Sequence, residues 1–144
     1  MENIKAKDFW SKLCLELNYV FYSGLPIDNF KSIFKNMDPE KMHYIPTVDE
    51  IVATGIVSGS FLAGVKGAVL MSSGGFDILS SQLEKFNLFY GLPVLFIVEN
   101  EYNPMNLKQF NLKKEGLHIL EEMDHYLINY SKPCVLIVDG EELL

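Results

Sequence analysis

The chain has 144 residues, 49% apolar and 22% charged, with a net charge of −7. This is the size and balance of one globular domain, read as residues 1–144. The acidic surface and the lack of a basic cluster exclude nucleic acid and anionic membranes as expected partners. A mean hydropathy of +0.12 leaves apolar surface for a protein partner. Cys14 and Cys134 sit in apolar segments without metal-ligand spacing and are expected as buried free thiols. The start, MENIKAKDFW, lacks a signal-peptide core, and no apolar run is long enough to span a bilayer. A reducing cytoplasm is the expected location.

Residues 6–18 place Phe9, Trp10, Leu13 and Leu17 at helical spacing. Tyr19–Tyr22 reads as a strand broken at Ser23-Gly24-Leu25-Pro26. Asp28-Asn29 can start a second helix through Phe30, Ile33 and Phe34. Met42–Ile45 reads as a strand ended by Pro46. A third helix is predicted from about Thr47 to Ala63, with Gly64 as its C-terminal cap. Its Gly55, Gly59 and Ala63 repeat every four residues, although each glycine costs a helix roughly 1 kcal/mol relative to alanine. Such a stripe permits close approach of another helix, inside the domain or across a subunit contact.

Gly67–Met71 is an all-apolar strand, followed by the tight loop Ser72-Ser73-Gly74-Gly75 and a helix from about Phe76 to Tyr90. Leu92–Val98 is a fourth strand, and the 99–116 stretch reads as polar and irregular. A last helix over 117–130 carries Leu117, Leu120, Met123 and Leu127 on one face, before a final strand at Pro133–Val138. Buried strands alternating with helices predict an α/β three-layer sandwich with a mostly parallel central sheet. In such sheets ligands bind beyond the carboxyl ends of the strands. That rule gathers Ser23–Pro26, Glu50, Ser72–Gly75 and Glu99–Asn103 along one edge.

Several residues carry two readings. Thr47-Val48-Asp49-Glu50 has the form of a capping box, in which Glu50 would satisfy the Thr47 backbone N–H. Ser72–Gly75 could hold phosphate as a separate flavodoxin-like module, or be turn chemistry only. His43, His118 and His125 have no metal spacing with acidic partners, and His118 and His125 read as surface or interface residues. Asp28 reads as a helix cap, and Glu121, Glu122 and Asp124 as a solvated face.

Three pieces in order, FYSGLP at 21–26, EIVATGIVSG at 50–59 with FLAGVKGAVLMSSGG after it, and YGLPVLFIV at 90–98, carry a resemblance. Over residues 5–100 the sequence resembles the pyrimidine-binding (PYR) domain of thiamine diphosphate enzymes. Within that group it is most similar to sulfopyruvate decarboxylase alpha subunits and the N-terminal part of phosphonopyruvate decarboxylases. The resemblance implies that Glu50 hydrogen-bonds the cofactor's aminopyrimidine and so promotes loss of the thiazolium C2 proton. It also implies cofactor contacts at Gly24, Pro26, Ser73 and Gly74, and no metal ligand in this chain. Diphosphate and Mg²⁺ would be anchored mainly by a separate PP-type subunit carrying a GDG-type motif, which is not found here. The implied activity is that of a thiamine diphosphate-dependent 2-oxo acid decarboxylase or carboligase subunit, active only in a homo- or hetero-oligomer with that partner.

The chain departs from the family pattern at three places. Phe76 and Asp77 stand where a glycine and an asparagine are usual, and Glu99 stands where the nearest relatives carry an arginine. The C-terminal part reads as short by one strand-helix unit. These departures imply the alternative of a non-catalytic PYR-like structural or regulatory partner domain.

Overall fold

The computed structural model describes residues 4–25, 38, 40–99 and 107–138. Helix α1 (Ala6–Trp10) runs on as a π-helical stretch, Ser11–Glu16, into strand β1 (Tyr19–Gly24). After β2 (His43–Pro46) come helix α2 (Glu50–Leu62) and β3 (Lys66–Leu70). A 3₁₀ turn, Ser73–Gly75, leads into α3 (Phe76–Gln82), which continues as a π-helical stretch at Leu83–Leu88. Then follow β4 (Leu95–Val98), β5 (Lys108–Asn111), α4 (Leu112–Glu115), α5 (Ile119–Tyr130) and β6 (Cys134–Ile137).

The strands form one six-stranded sheet in the order β2-β1-β3-β4-β6-β5, with every described pair parallel. Alternate side chains feed two cores. Ala68, Leu70, Leu95, Ile97, Cys134 and Leu136 pack with Phe9, Trp10, Leu120, Met123 and Leu127 of α1 and α5. Val69, Met71, Phe96, Val98, Val135 and Ile137 pack with Ala53, Val57, Phe76 and Leu79 of α2 and α3. Strands covered on both faces must be apolar at every position, which is why β3, β4 and β6 read as unbroken apolar runs. This is the expected α/β architecture, with helices on both faces of a parallel sheet.

Two expectations need correction. The 99–116 stretch is not wholly irregular: it holds β5, paired in parallel with β6, and α4, capped by the Asn111 side chain. β5 is an edge strand in which only Phe110 is buried, so its sequence lacks the apolar run of a central strand. The strand expected to be missing from the C-terminal part is therefore present. The predicted helix from Asp28 and the Pro26 contact lie outside the described residues. Cys14 and Cys134 are buried free thiols, as expected. No helix among the described residues is long and apolar enough to cross a membrane.

Helix α2 ends in a Schellman arrangement. Gly64 adopts φ +84°, Val65 N–H donates to Ser60 O at 2.8 Å, and Gly64 N–H donates to Phe61 O at 3.0 Å.

Candidate functional site

The α2 N-terminus is built differently from a capping box. β2 extends through Pro46, and the Thr47 N–H continues toward β1, donating to Gly24 O at 2.8 Å. The Thr47 hydroxyl donates to Asp49 O at 3.1 Å. The cap falls to Asp49, in extended geometry, whose Oδ1 accepts from Val52 N–H at 2.8 Å. The capping reading of Glu50 is thereby corrected: Thr47 already has a strand partner, and Glu50 is the first residue of the helix rather than its third. The Thr54 hydroxyl donates to the Glu50 carbonyl at 2.7 Å and braces this turn.

The Glu50 side chain is half-buried and lies against the 3₁₀ turn after β3. A Cβ placed on Gly75 would stand 3.0 Å from Glu50 Cγ and 3.1 Å from its Oε1. It would also stand 2.7 Å from Met71 Cε, so only glycine leaves this space to the carboxylate. Among the described residues the Glu50 carboxylate takes part in no hydrogen bond and no ion pair. A half-buried carboxylate without a donor, at the carboxyl edge of a parallel sheet, has the form of a group awaiting a ligand.

The neighbouring loop is already engaged. Glu99, directly after β4, turns Oε1 onto the Ser73 N–H at 3.2 Å and onto the Ser72 and Ser73 hydroxyls at 3.3 Å each. Its Oε2 is buried without a hydrogen-bond partner among the described residues. A phosphate site at Ser72–Gly75 is therefore corrected: an internal carboxylate holds the donors that phosphate would need. Gly74 is exposed and has open space around it. Phe76 is fully buried and packs edge-on to Phe96 at 5.3 Å, so its bulk enters the core and not the edge.

Gly24 has a packing role of its own. At φ +154° it sits so close to β3 that a Cβ would fall on the Leu70 carbonyl. Its carbonyl accepts from Thr47 N–H and from the Tyr44 hydroxyl, the latter at 3.1 Å. The structure thus brings Glu50 together with the Ser73–Gly75 turn and ties Gly24 to the strand that leads to Glu50. The sequence reading missed two residues here, Gly75 as the relief for Glu50 and Glu99 as the clamp on the serines. His118 and His125 are exposed, and His125 Nδ1 lies 2.9 Å from Asn129 Nδ2. No group of three metal-ligating side chains occurs among the described residues.

The outer face of α2 is open. From Ile51 to Val65 the sequence holds no charged residue. A Cβ added to Gly55 or Gly59 would meet nothing within 4 Å, and Leu62 is 68% exposed. Ile51, Val52 and, on α3, Ile78 are exposed as well. The glycine stripe therefore does not serve packing among the described residues.

No family model matches the chain. Sequence similarity runs to sulfopyruvate decarboxylase subunit alpha of Methanococcus maripaludis, 26% identical over 98 residues, covering 67% of this chain and 59% of the relative. The same subunit of Methanocaldococcus jannaschii is 30% identical over 84 residues, covering 58% of this chain and 50% of the relative. The chain thus spans little more than half the length of these curated relatives. In fold it matches 2-oxoglutarate:ferredoxin oxidoreductase from Magnetococcus marinus at a TM-score of 0.75 and 16% identity, over 98% of this chain and 30% of that one. It also matches an enzyme from Mycobacterium smegmatis described as thiamin diphosphate-dependent, at a TM-score of 0.76 and 12% identity, over 97% of this chain and 31% of that one.

Proposed function

We propose that this chain, whose sequence is similar to sulfopyruvate decarboxylase alpha subunits and whose fold is that of thiamine diphosphate-enzyme neighbours, is the PYR-type subunit of a 2-oxo acid decarboxylase or carboligase. One observation carries the reading. Glu50 is half-buried at the carboxyl edge of the sheet, with its carboxylate unpartnered among the described residues and with a glycine making room for it. Those are the requirements for a carboxylate that hydrogen-bonds a protonated or tautomerising ring nitrogen.

The residues present fit the aminopyrimidine end of thiamine diphosphate. Glu50 supplies the acceptor, Asp49 and Thr54 hold the first turn beneath it, and Gly75 keeps its path clear. Gly74 leaves the adjoining edge open to the ring, with Gly24, Ser73 and Pro26 completing the contacts assigned to this chain. The fit does not extend to the diphosphate, because the Ser72 and Ser73 donors are taken by Glu99. Diphosphate and Mg²⁺ are assigned to a separate PP-type subunit. When bound, thiamine diphosphate supplies a thiazolium ring that acts as the electron sink for 2-oxo acid chemistry. The role of this chain is to orient the aminopyrimidine and to exchange a proton at the Glu50 carboxylate.

The partner surface assigned here is the uncharged outer face of α2, with Gly55 and Gly59 as points of close approach. An exposed apolar face of this kind is how a domain built for association differs from a solitary one. The alternative of a non-catalytic PYR-like domain loses one support, since Phe76 is buried in the core.

Purification of the tagged chain from its native host tests the proposal. The expected result is a stoichiometric partner with a GDG-type motif, together with thiamine diphosphate and Mg²⁺. A chain recovered alone and free of thiamine would count against it.

A further inference from the structure

Glu99 is the other carboxylate at this edge, and nothing in the role assigned to Glu50 uses it. Three donors converge on its Oε1: the Ser73 N–H at 3.2 Å and the hydroxyls of Ser72 and Ser73 at 3.3 Å. A backbone N–H flanked by two hydroxyls is a donor set that would otherwise suit the anionic tail of a small molecule. Here the protein fills it with its own charge. The second oxygen, Oε2, is buried and has no donor among the described residues. An acceptor left in that state is unfavourable unless a donor reaches it. The serines lie in the turn that ends at Gly75, against which the Glu50 side chain rests.

We infer that Glu99 is a specificity-determining residue: it closes the Ser72–Ser73 donor set to anions and keeps a negative charge on the turn against which Glu50 rests. Resting on the 2-oxo acid reading of the Glu50 site, this assigns the substrate class. The substrate is a 2-oxo acid with its single carboxylate at the reacting end and a distal group that is not a second anion. A second anion at this half-buried turn would meet the Glu99 charge, and like charges repel. No covalent step is assigned to Glu99. It acts on the distal group only.

Two arms test this, and the first needs neither cofactor nor partner. The isolated chain, as wild type, Glu99→Gln and Glu99→Ala, is titrated with sodium sulfate while the Ser73 amide is followed by ¹⁵N NMR. The expected result is no saturable shift in the wild type and a saturable shift in Glu99→Ala. An Ala variant that remains silent although its spectrum is folded would overturn the proposal, as would saturable sulfate binding by the wild type. If Glu99→Ala fails to fold, Glu99→Gln decides, with a saturable shift absent from the wild type expected.

The second arm compares kcat/KM for 2-oxopentanoate and 2-oxoglutarate in the assembled complex. The wild type is expected to favour the monoacid at least about tenfold, and Glu99→Gln to narrow that ratio at least about tenfold. Equal use of both acids by the wild type, or an unchanged ratio in the variant, would refute the assignment. A complex that turns over no 2-oxo acid at all overturns the decarboxylase reading, and with it the substrate class. The sulfate result then still decides whether Glu99 closes the donor set.

Discussion

Replacing Gly75 by alanine separates the positioning of Glu50 from the stability of the fold. Gly75 has φ −65° and ψ −16°, ordinary right-handed geometry, so alanine meets no backbone strain there. The conflict is steric. The new Cβ would stand 2.7 Å from Met71 Cε and 3.0 Å from Glu50 Cγ, against an ordinary contact of 3.4 Å or more. Met71 is 1% exposed and packed in the α2–α3 core, so it has little room to retreat. Its terminal Cε must still shift to relieve the tighter contact, and Glu50, half-buried at the edge, is pushed aside as well. Gly→Ala at a compatible site gains about 0.4–1 kcal/mol through the unfolded chain, and overpacking costs about 1–3 kcal/mol, so the net loss is at most about 2.6 kcal/mol. A contact of 3.0 Å displaces the carboxylate by a few tenths of an ångström, and a misplacement of about 1 Å costs about a hundredfold in rate where the group takes part in the reaction. The expected result is a folded Gly75→Ala chain, by urea melt, whose complex turns over about 3- to 10-fold more slowly. Full turnover in a folded Gly75→Ala complex would refute the claim that this contact sets the position of Glu50.

The two acids at the start of α2 should behave oppositely in chemical denaturation. Asp49→Ala removes the cap on Val52 N–H and should lower stability by about 1 kcal/mol. Glu50→Gln, which removes no protein contact, should leave stability within about 0.5 kcal/mol. Gly55→Leu should leave the isolated chain folded, since open space surrounds that position, yet abolish assembly with the proposed PP-type partner in size-exclusion chromatography. Thermal melts should show alkaline destabilisation. Burial pushes the Cys14 thiol up from 9.0 to about 11, against the lowering effect of its hydrogen bond with Tyr22. The buried neutral thiol thus contributes stability in full below pH 9, which is lost as the pH rises from 9 toward 11. Burial raises Cys134, Tyr19 and Tyr22 in the same direction, and Cys14→Ala should flatten the fall without removing it.

The central strands were legible because burial on both faces leaves no polar position to confuse the pattern. β5 was not, because an edge strand with one buried side chain, Phe110, carries almost no periodic signal. The position of Glu50 at the carboxyl edge of the sheet was legible from its place between β2 and a helix, whereas a cofactor role for it comes from the family resemblance alone. Its capping role was misread because the box assumes that Thr47 has no strand partner, and the bond from Thr47 N–H to Gly24 O depends on pairing with β1. The contacts of Gly75 with Glu50, and of Glu99 with Ser73, join loops that are adjacent only once β1, β3 and β4 are aligned. The burial of Phe76 has a local hint, since a phenylalanine at the start of a helix over an apolar sheet favours the core. Its direction still needed the fold.

The central claim is that this chain brings Glu50 to the aminopyrimidine of thiamine diphosphate held by a partner. The most direct test is turnover of a 2-oxo acid by the reconstituted complex, wild type beside Glu50→Gln, with assembly checked by size-exclusion chromatography. The variant is expected to assemble normally and to lose turnover by at least about a hundredfold, as for removal of a positioned general acid or base. Turnover equal to wild type in an assembled Glu50→Gln complex would contradict the claim.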